Sequence, residues 1–308
     1  TTANHNTAVG KGAMTSNTTG AFNTSVGSNS LDANTTADSN TAVGYAALNA
    51  NTTGTTNTAV GTSALEANTT ADSNTAVGMN SLKANTTGTG NTALGFNSMD
   101  ANTTAHNGTG IGYNVLSANT TGGENTAVGS QAMAANIAGN YNVAVGQNSL
   151  NDNTTASANV ALGYSAMAVN TTGANNVAVG YAALDANTTA GSNTALGYNA
   201  MTSNTTGAAN TAVGYEAGDQ ITTGGENVCI GADAGDAIST GANNVILGSG
   251  ADVSAADGNG ANVLGRQVSG AAGYTTLGSG SDDIRAAHGT ASWATVSDER
   301  VKKDIEDS

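Results

Sequence analysis

Asn57-Thr58-Ala59-Val60-Gly61-Thr62-Ser63-Ala64-Leu65-Glu66-Ala67-Asn68-Thr69-Thr70-Ala71-Asp72-Ser73 is one copy of a seventeen-residue unit that recurs through most of the chain. The same frame opens at Asn6, Asn23, Asn40, Asn57, Asn74 and Asn91, then at Gly108, Asn125, Asn142, Asn159, Asn176, Asn193, Asn210, Asn227, Asn244 and, weakly, Ala261. No insertion or deletion breaks the phase across these sixteen copies. A fixed short period is the signature of a solenoid, in which each unit forms one coil stacked on its neighbours.

Within the unit, the second residue is Thr or Val in every copy but the last, the third is nearly always small, the fourth is Val, Leu or Ile, and the fifth is Gly. A period-two pattern rich in β-branched residues and closed by Gly predicts a short strand ending in a turn. Alternation sets positions two and four on one face and the small position three on the other. The larger side chains of position four are expected inside. Position three, a strip poor in side chains, is then the surface that another chain can approach. A second apolar pair at positions eight and nine (Ala47-Leu48, Ala183-Leu184) predicts a second strand-like edge. The A-N-T-T-G remainder is turn chemistry and is expected to be exposed. Coils at strand spacing rise ~4.8 Å each, so sixteen would make a rod on the order of 75 Å long.

The chain has 308 residues, with 9% charged and 4% aromatic residues and no Pro, which suits a backbone whose amides all enter ladders. Its formal charge is −15, and Lys11 and Lys83 are the basic residues before Arg266. That excludes a basic surface for nucleic acid and weakens any attraction to an anionic membrane. No apolar run approaches a membrane span, so no membrane insertion is expected. Thr1-Thr2-Ala3 fits the end of a preceding unit, which suggests a start in mid-repeat. Cys229 sits at the small third position and reads as a buried apolar residue.

Three regions are expected: a repeat shaft over 1–248, a zone of degenerate repeats over 249–290 that makes a transition or cap, and a stretch over 291–308 of different character. In the last shaft coils Gly218 and Gly235 replace Leu or Met, and Ile221 and Ile238 replace Asn. Each coil offers about one Val and one Leu or Met for burial, worth ~1.5–3 kcal/mol per side chain. Ordering a residue costs ~1–2 kcal/mol of backbone entropy. That balance is thin for a lone chain, and homo-oligomerisation, threefold by expectation, is the simplest remedy.

The phrase N-T-A-V-G-x-x-A-L resembles the head repeats of trimeric autotransporter adhesins, a family that folds as a trimeric left-handed parallel β-roll, although the period here is longer. Ser297-Asp298-Glu299-Arg300-Val301-Lys302-Lys303-Asp304-Ile305 is similar to the opening of the intramolecular chaperone autoprotease domain of phage tail fibres and endosialidase tailspikes. That resemblance implies trimers registered by the chaperone, which is then cut off. It also implies self-cleavage between Ser297 and Asp298, with Ser297 as nucleophile and Lys302 as its base; the chaperone body itself is not part of the sequence.

Position six carries Tyr45, Tyr113, Tyr164, Tyr181, Tyr198 and Tyr215, with Phe96 and Met79, so a solenoid makes of them one column. That stripe is either packing between coils or across a trimer seam, or a contact surface for a receptor or glycan. The N-T-T turns match the N-glycosylation sequon, yet an Asn/Thr turn ladder already explains them. No His spacing, paired carboxylates or Ser/His/Asp constellation points to a metal, a cofactor or a substrate-directed enzyme. The expectation is therefore an all-β parallel β-solenoid or β-roll of 17-residue coils forming a homotrimeric fibre. It is expected outside the cell or on a virion surface, as a structural and adhesive shaft that binds itself and a host receptor or glycan. A bacterial trimeric surface adhesin and a glycan-degrading tailspike are the alternatives.

Overall fold

A computed structural model describes residues 3–289 and the two-residue strand Ala294–Thr295. The chain is an all-β parallel β-solenoid of coils of about 17 residues, divided into two compact units, Thr1–Thr172 and Gly173–Ser308. In the first unit each coil contributes one three-residue strand, from β1 (Thr7–Val9) to β10 (Val160–Leu162). Successive strands pair parallel and in register, as Thr41↔Thr58, Ala42↔Ala59 and Val43↔Val60 do. The sequence period is thus the register: every residue lies against its equivalent one coil away.

The strand faces are the reverse of the sequence expectation. The third position points inward, with Ala42, Ala59, Ala76 and Ala144 fully buried, whereas Val145 at position four is 38% exposed. Alternation within three residues sends either one side chain inward or two. The volume of the lumen decides between these. A coil this short already encloses the buried Ala64 and Leu65, Asn57 and Asn68, so only a methyl group fits from the strand. The small residues are consequently not a strip open to another chain.

The second strand-like edge also does not form. Positions seven to nine make tight bends in which Ala46 and Leu48 take φ of 55° and 50°. Left-handed backbone costs an L-residue roughly 1–2 kcal/mol. Burying the leucine, which this bend aims into the lumen, offsets it with ~1.5–3 kcal/mol. Position five needs glycine for a different reason: Gly61 has φ of 137°, and a Cβ there would lie 2.5 Å from the carbonyl oxygen of Gly78.

The asparagines of the turns are interior rather than exposed. Asn57 donates its side-chain amide to the Ala71 carbonyl at 2.8 Å, and its Oδ1 accepts the Asn74 backbone N–H at 2.9 Å. From the other wall Asn68 donates to the same Ala71 carbonyl at 3.0 Å and to Asn51 Oδ1 at 2.9 Å. Two asparagine ladders therefore converge on one carbonyl per coil and tie each coil to the next. Only the threonines that follow stay at the surface, where Thr154 Oγ1 donates to the Thr171 carbonyl at 3.1 Å. Buried and doubly hydrogen-bonded, the Asn side chains of these N-T-T turns are poor glycosylation acceptors.

In the second unit β11 (Val177–Val179), β12 (Thr194–Leu196), β13 (Thr211–Val213), β14 (Val228–Ile230) and β15 (Val245–Leu247) continue the pattern in register. The short β16 (Asp252–Val253) pairs parallel with β18 (Ser269–Gly270) in a small sheet of its own. β17 (Asn262–Arg266) pairs parallel with β15, and β19 (Tyr274–Ser279) pairs parallel with β17 after a step of thirteen residues, Asn262 to Thr275. β20 (Asp282–Ala287) then lies antiparallel on β19, and Ala294–Thr295 antiparallel on β20. The reversal places a hairpin where the next parallel coil would stack. Arg285 sits over the Tyr274 ring at 5.6 Å from its centroid.

Candidate functional site

Inverting the strand places positions two, four and six on the outside, where they make one face. In the first unit this face carries a Thr column (Thr41, Thr58, Thr75), a Val/Leu/Ile column (Val43, Val60, Val77, Leu94, Ile111), and the aromatic column at position six. Tyr113 and Tyr45 are more than half exposed, at 53% and 56%. Tyr45 stands between Ser28 and Thr62 in the column, while Phe96 and Tyr113 stack with ring centroids 5.6 Å apart and planes at 11°. Tyr164 continues the column in the last coil of this unit.

The second unit holds a longer ring stack. Tyr181 and Tyr198 are 5.2 Å apart, Tyr198 and Tyr215 5.3 Å, with planes at 13° and 6°. Strand register imposes this spacing, since equivalent residues of adjacent coils lie about 4.8 Å apart. The rings use their faces on one another, so a partner meets their edges and hydroxyl groups. Stacking of a sugar ring on an aromatic face, one form of glycan contact, is available only at the ends of such a column. The Tyr215 phenol is held above its ordinary value by its hydrogen bond to Glu216 and by that carboxylate's charge.

The second chemical cluster was not anticipated from the sequence. Asp252 in β16 accepts the Ala237 N–H at 2.8 Å and the Val253 N–H at 2.7 Å, and its carboxyl meets that of Asp236. Burial, then the bond to Asp236, raises Asp252 from 3.8 to about 7. Burial and the nearby Asp252 charge push the Cys229 thiol up to about 12, which leaves it an unreactive core residue. The only signal in the sequence was that Asp236 and Asp252 lie one residue short of a full repeat apart.

Among the described residues no three His, Cys, Asp or Glu side chains are grouped to hold a metal ion, and no helix is long and apolar enough to cross a membrane. Ser297 and Lys302 lie outside the described residues. The sequence patterning identified the aromatic column but assigned the aliphatic column beside it to the core. No family model matches this chain, and neither a curated protein nor a solved structure matches it.

Proposed function

We propose that the chain is the structural and adhesive shaft of an extracellular fibre, homotrimeric and of the phage tail-fibre kind, that carries contacts to a host cell-surface receptor or glycan. One observation supports this most: in the first unit a single hydrogen-bond pattern, strand ladder plus two asparagine ladders, repeats coil after coil with no change of register and one asparagine missing, at Gly108. Such a stack adds length by adding units, and its job is mechanical spacing. Three copies displaying the same weak contact turn it into avidity, since later contacts form at the high effective concentration set by the first.

The resemblance at Ser297 to Ile305 adds a one-time reaction of the longer precursor. Ser297 Oγ attacks the carbonyl of the Ser297–Asp298 bond, and Lys302 takes the hydroxyl proton. Lys302 passes that proton to the departing Asp298 amine as the C–N bond breaks, and water then hydrolyses the ester so formed. A lysine takes such a proton when desolvation lowers its pKa. No substrate-directed activity belongs to the shaft in this proposal.

Sedimentation equilibrium of the purified chain, with a host-cell binding assay on the same sample, tests the shaft. The expected result is a mass of three copies and cell binding that weakens sharply in monomeric variants. A stably folded monomer at all working concentrations overturns it. For the junction, the full-length gene is expressed as wild type, Ser297→Ala and Lys302→Ala. Cleavage of the wild type alone is expected, and one uncut size for all three rejects the autoprotease.

A further inference from the structure

We propose that the outward face formed by positions two, four and six is where copies of this chain join, parallel and in register. The inference rests on the proposed self-associating shaft and names the surface through which it assembles. Charge selects this face. The chain carries a net charge of −15, yet no Asp or Glu occupies positions two, four or six of any coil from Asn6 to Asn244, and Lys11 is the one charged residue there. The acids occupy other columns, such as Asp32 and Glu66 at position ten, Asp38 and Asp72 at position sixteen, and Glu216 and Asp233 at position seven. Apart from Glu216, whose carboxylate reaches the column through its bond to the Tyr215 phenol, the acids sit at other positions, so two copies of so acidic a chain meet here with little like-charge repulsion.

The chemistry and size of the face agree with that occupant. Leu196 and Tyr198 are each 45% exposed in the second unit, as Val145 is in the first at 38%, so aliphatic and aromatic columns run side by side. Monomers rarely leave contiguous apolar patches beyond a few hundred Å² uncovered. From position two to position six is about four steps of ~3.3 Å, and ten coils span ~48 Å, which gives the first unit alone roughly 600 Å². Stable interfaces use about 600–1,000 Å² per partner, so the face of the first unit by itself reaches the lower end of that range. The stacked rings are already ordered, which lowers the entropic cost of binding. Parallel register sets the ring pair Phe96–Tyr113 of one copy against the same pair of the next, and the small residues Ser28, Thr62 and Ser130 against their own equivalents.

The test uses the whole chain in four forms. Wild type is compared by sedimentation with Val128→Asp/Val145→Asp, which adds two charges to the outward column without entering the lumen. A cysteine at Tyr113→Cys is compared with one at Thr53→Cys, an exposed turn position on a different column; Cys229 is buried and does not compete. The expected result is an oligomeric wild type and a double-Asp variant with unchanged circular dichroism whose dissociation constant rises ~100-fold or more. Disulfide-linked copies should form from Tyr113→Cys and not from Thr53→Cys. If the wild type is oligomeric while the double-Asp variant remains so and Tyr113→Cys does not cross-link, this face is wrong and the shaft proposal survives. If the wild type is monomeric throughout, both fall. Should the double-Asp variant fail to fold, the two cysteine variants decide alone.

Discussion

The coil that opens at Asn57, in the first unit, and the coil that opens at Asn210, in the second, each fill their own lumen from opposite walls. In the first, the large buried side chain is Leu65 at position nine, and position twelve is the ladder residue Asn68. In the second, position nine is Gly218 and position twelve is the fully buried Ile221. The turn itself is unchanged: Asn68 N–H bonds the Leu65 carbonyl at 3.1 Å, and Ile221 N–H bonds the Gly218 carbonyl at 3.1 Å. A Cβ on Gly218 would lie 2.9 Å from Ile221 Cδ1, so the isoleucine occupies the space a leucine would take. The exchange ends one asparagine ladder, and it leaves Asn204 Oδ1 buried with no partner. What the coil conserves is lumen volume rather than the residue at a given position.

Breaking that exchange should give the largest effect. Ile221→Asn alone removes the main apolar side chain of its coil and should cost ~2–5 kcal/mol. Gly218→Leu alone overfills the lumen and should cost ~1–3 kcal/mol. Made together, the two changes rebuild a coil of the Asn57 type. Gly218 already holds φ of 58°, close to the 51° of Leu65. The amide introduced by Ile221→Asn would also offer Asn204 Oδ1 a donor. The double variant should therefore unfold in urea within ~1 kcal/mol of wild type, a strong coupling in a double-mutant cycle. Additive costs would mean that the two coils do not share one packing rule.

This exchange also marks the limit of what patterning could reveal. The seventeen-residue phase and the terminal glycine of the strand were sufficient for a parallel solenoid, because in-register stacking turns sequence period directly into geometry. The orientation of the strand was not legible. Val60 is larger and more apolar than Ala59, and hydrophobicity alone sends it inside. Only the lumen, narrowed by Leu65 and two asparagines, shows that there is no room for it. The asparagines misled for a related reason. N-T-T has the composition of an exposed turn, but a stacked coil can bury an amide cheaply when the next coil supplies its partner. For the aromatic column the patterning did locate the residues, since one position of a repeat makes one column.

Ladder asparagines in coils of the first type should be the next most sensitive positions. Asn57→Ala leaves the Asn74 N–H without its acceptor and removes one donor from the Ala71 carbonyl. An orphaned buried donor costs ~1–3 kcal/mol, and the lost bond another ~0.5–1.5, so a loss of about 2–4 kcal/mol is expected in urea unfolding. Position one lacks the asparagine at Ala261, in the weak last copy, and at Gly108, within the regular shaft. At Gly108 the methyl carbon of Met99 lies 2.6 Å from where a Cβ would be, so a neighbouring side chain takes the vacated space. The equivalent position beside Asn57 is Leu48, whose branched side chain is shorter than that of methionine. A cost below ~0.5 kcal/mol would show that the ladder follows the fold and does not stabilise it.

The most local expected effect separates the two regions by pH. Asp252 packs against Asp236, with Asp219 and Glu216 further along the same acidic side and the Cys229 thiol close by; none of the groups acting on these carboxyls is basic. Because burial raises Asp252 from 3.8 to about 7, the folded state holds a proton that the unfolded chain releases near pH 4. The stabilisation this proton provides is complete below the unfolded value and is lost as pH rises from about 4 through about 7. Hydrogen exchange in the coils around Asp252 should therefore quicken over that window, and the coils from Asn40 to Asn91 supply the internal reference. Repulsion across an acidic chain also grows with pH, so the informative quantity is the difference from Asp252→Asn. That variant keeps an acceptor for the Ala237 N–H and carries no charge at any pH. It should slow exchange near position 252 at pH 8, leave it unchanged at pH 4, and flatten the profile between. An equal pH dependence in wild type and variant would assign the effect to overall charge and not to the buried carboxyl pair.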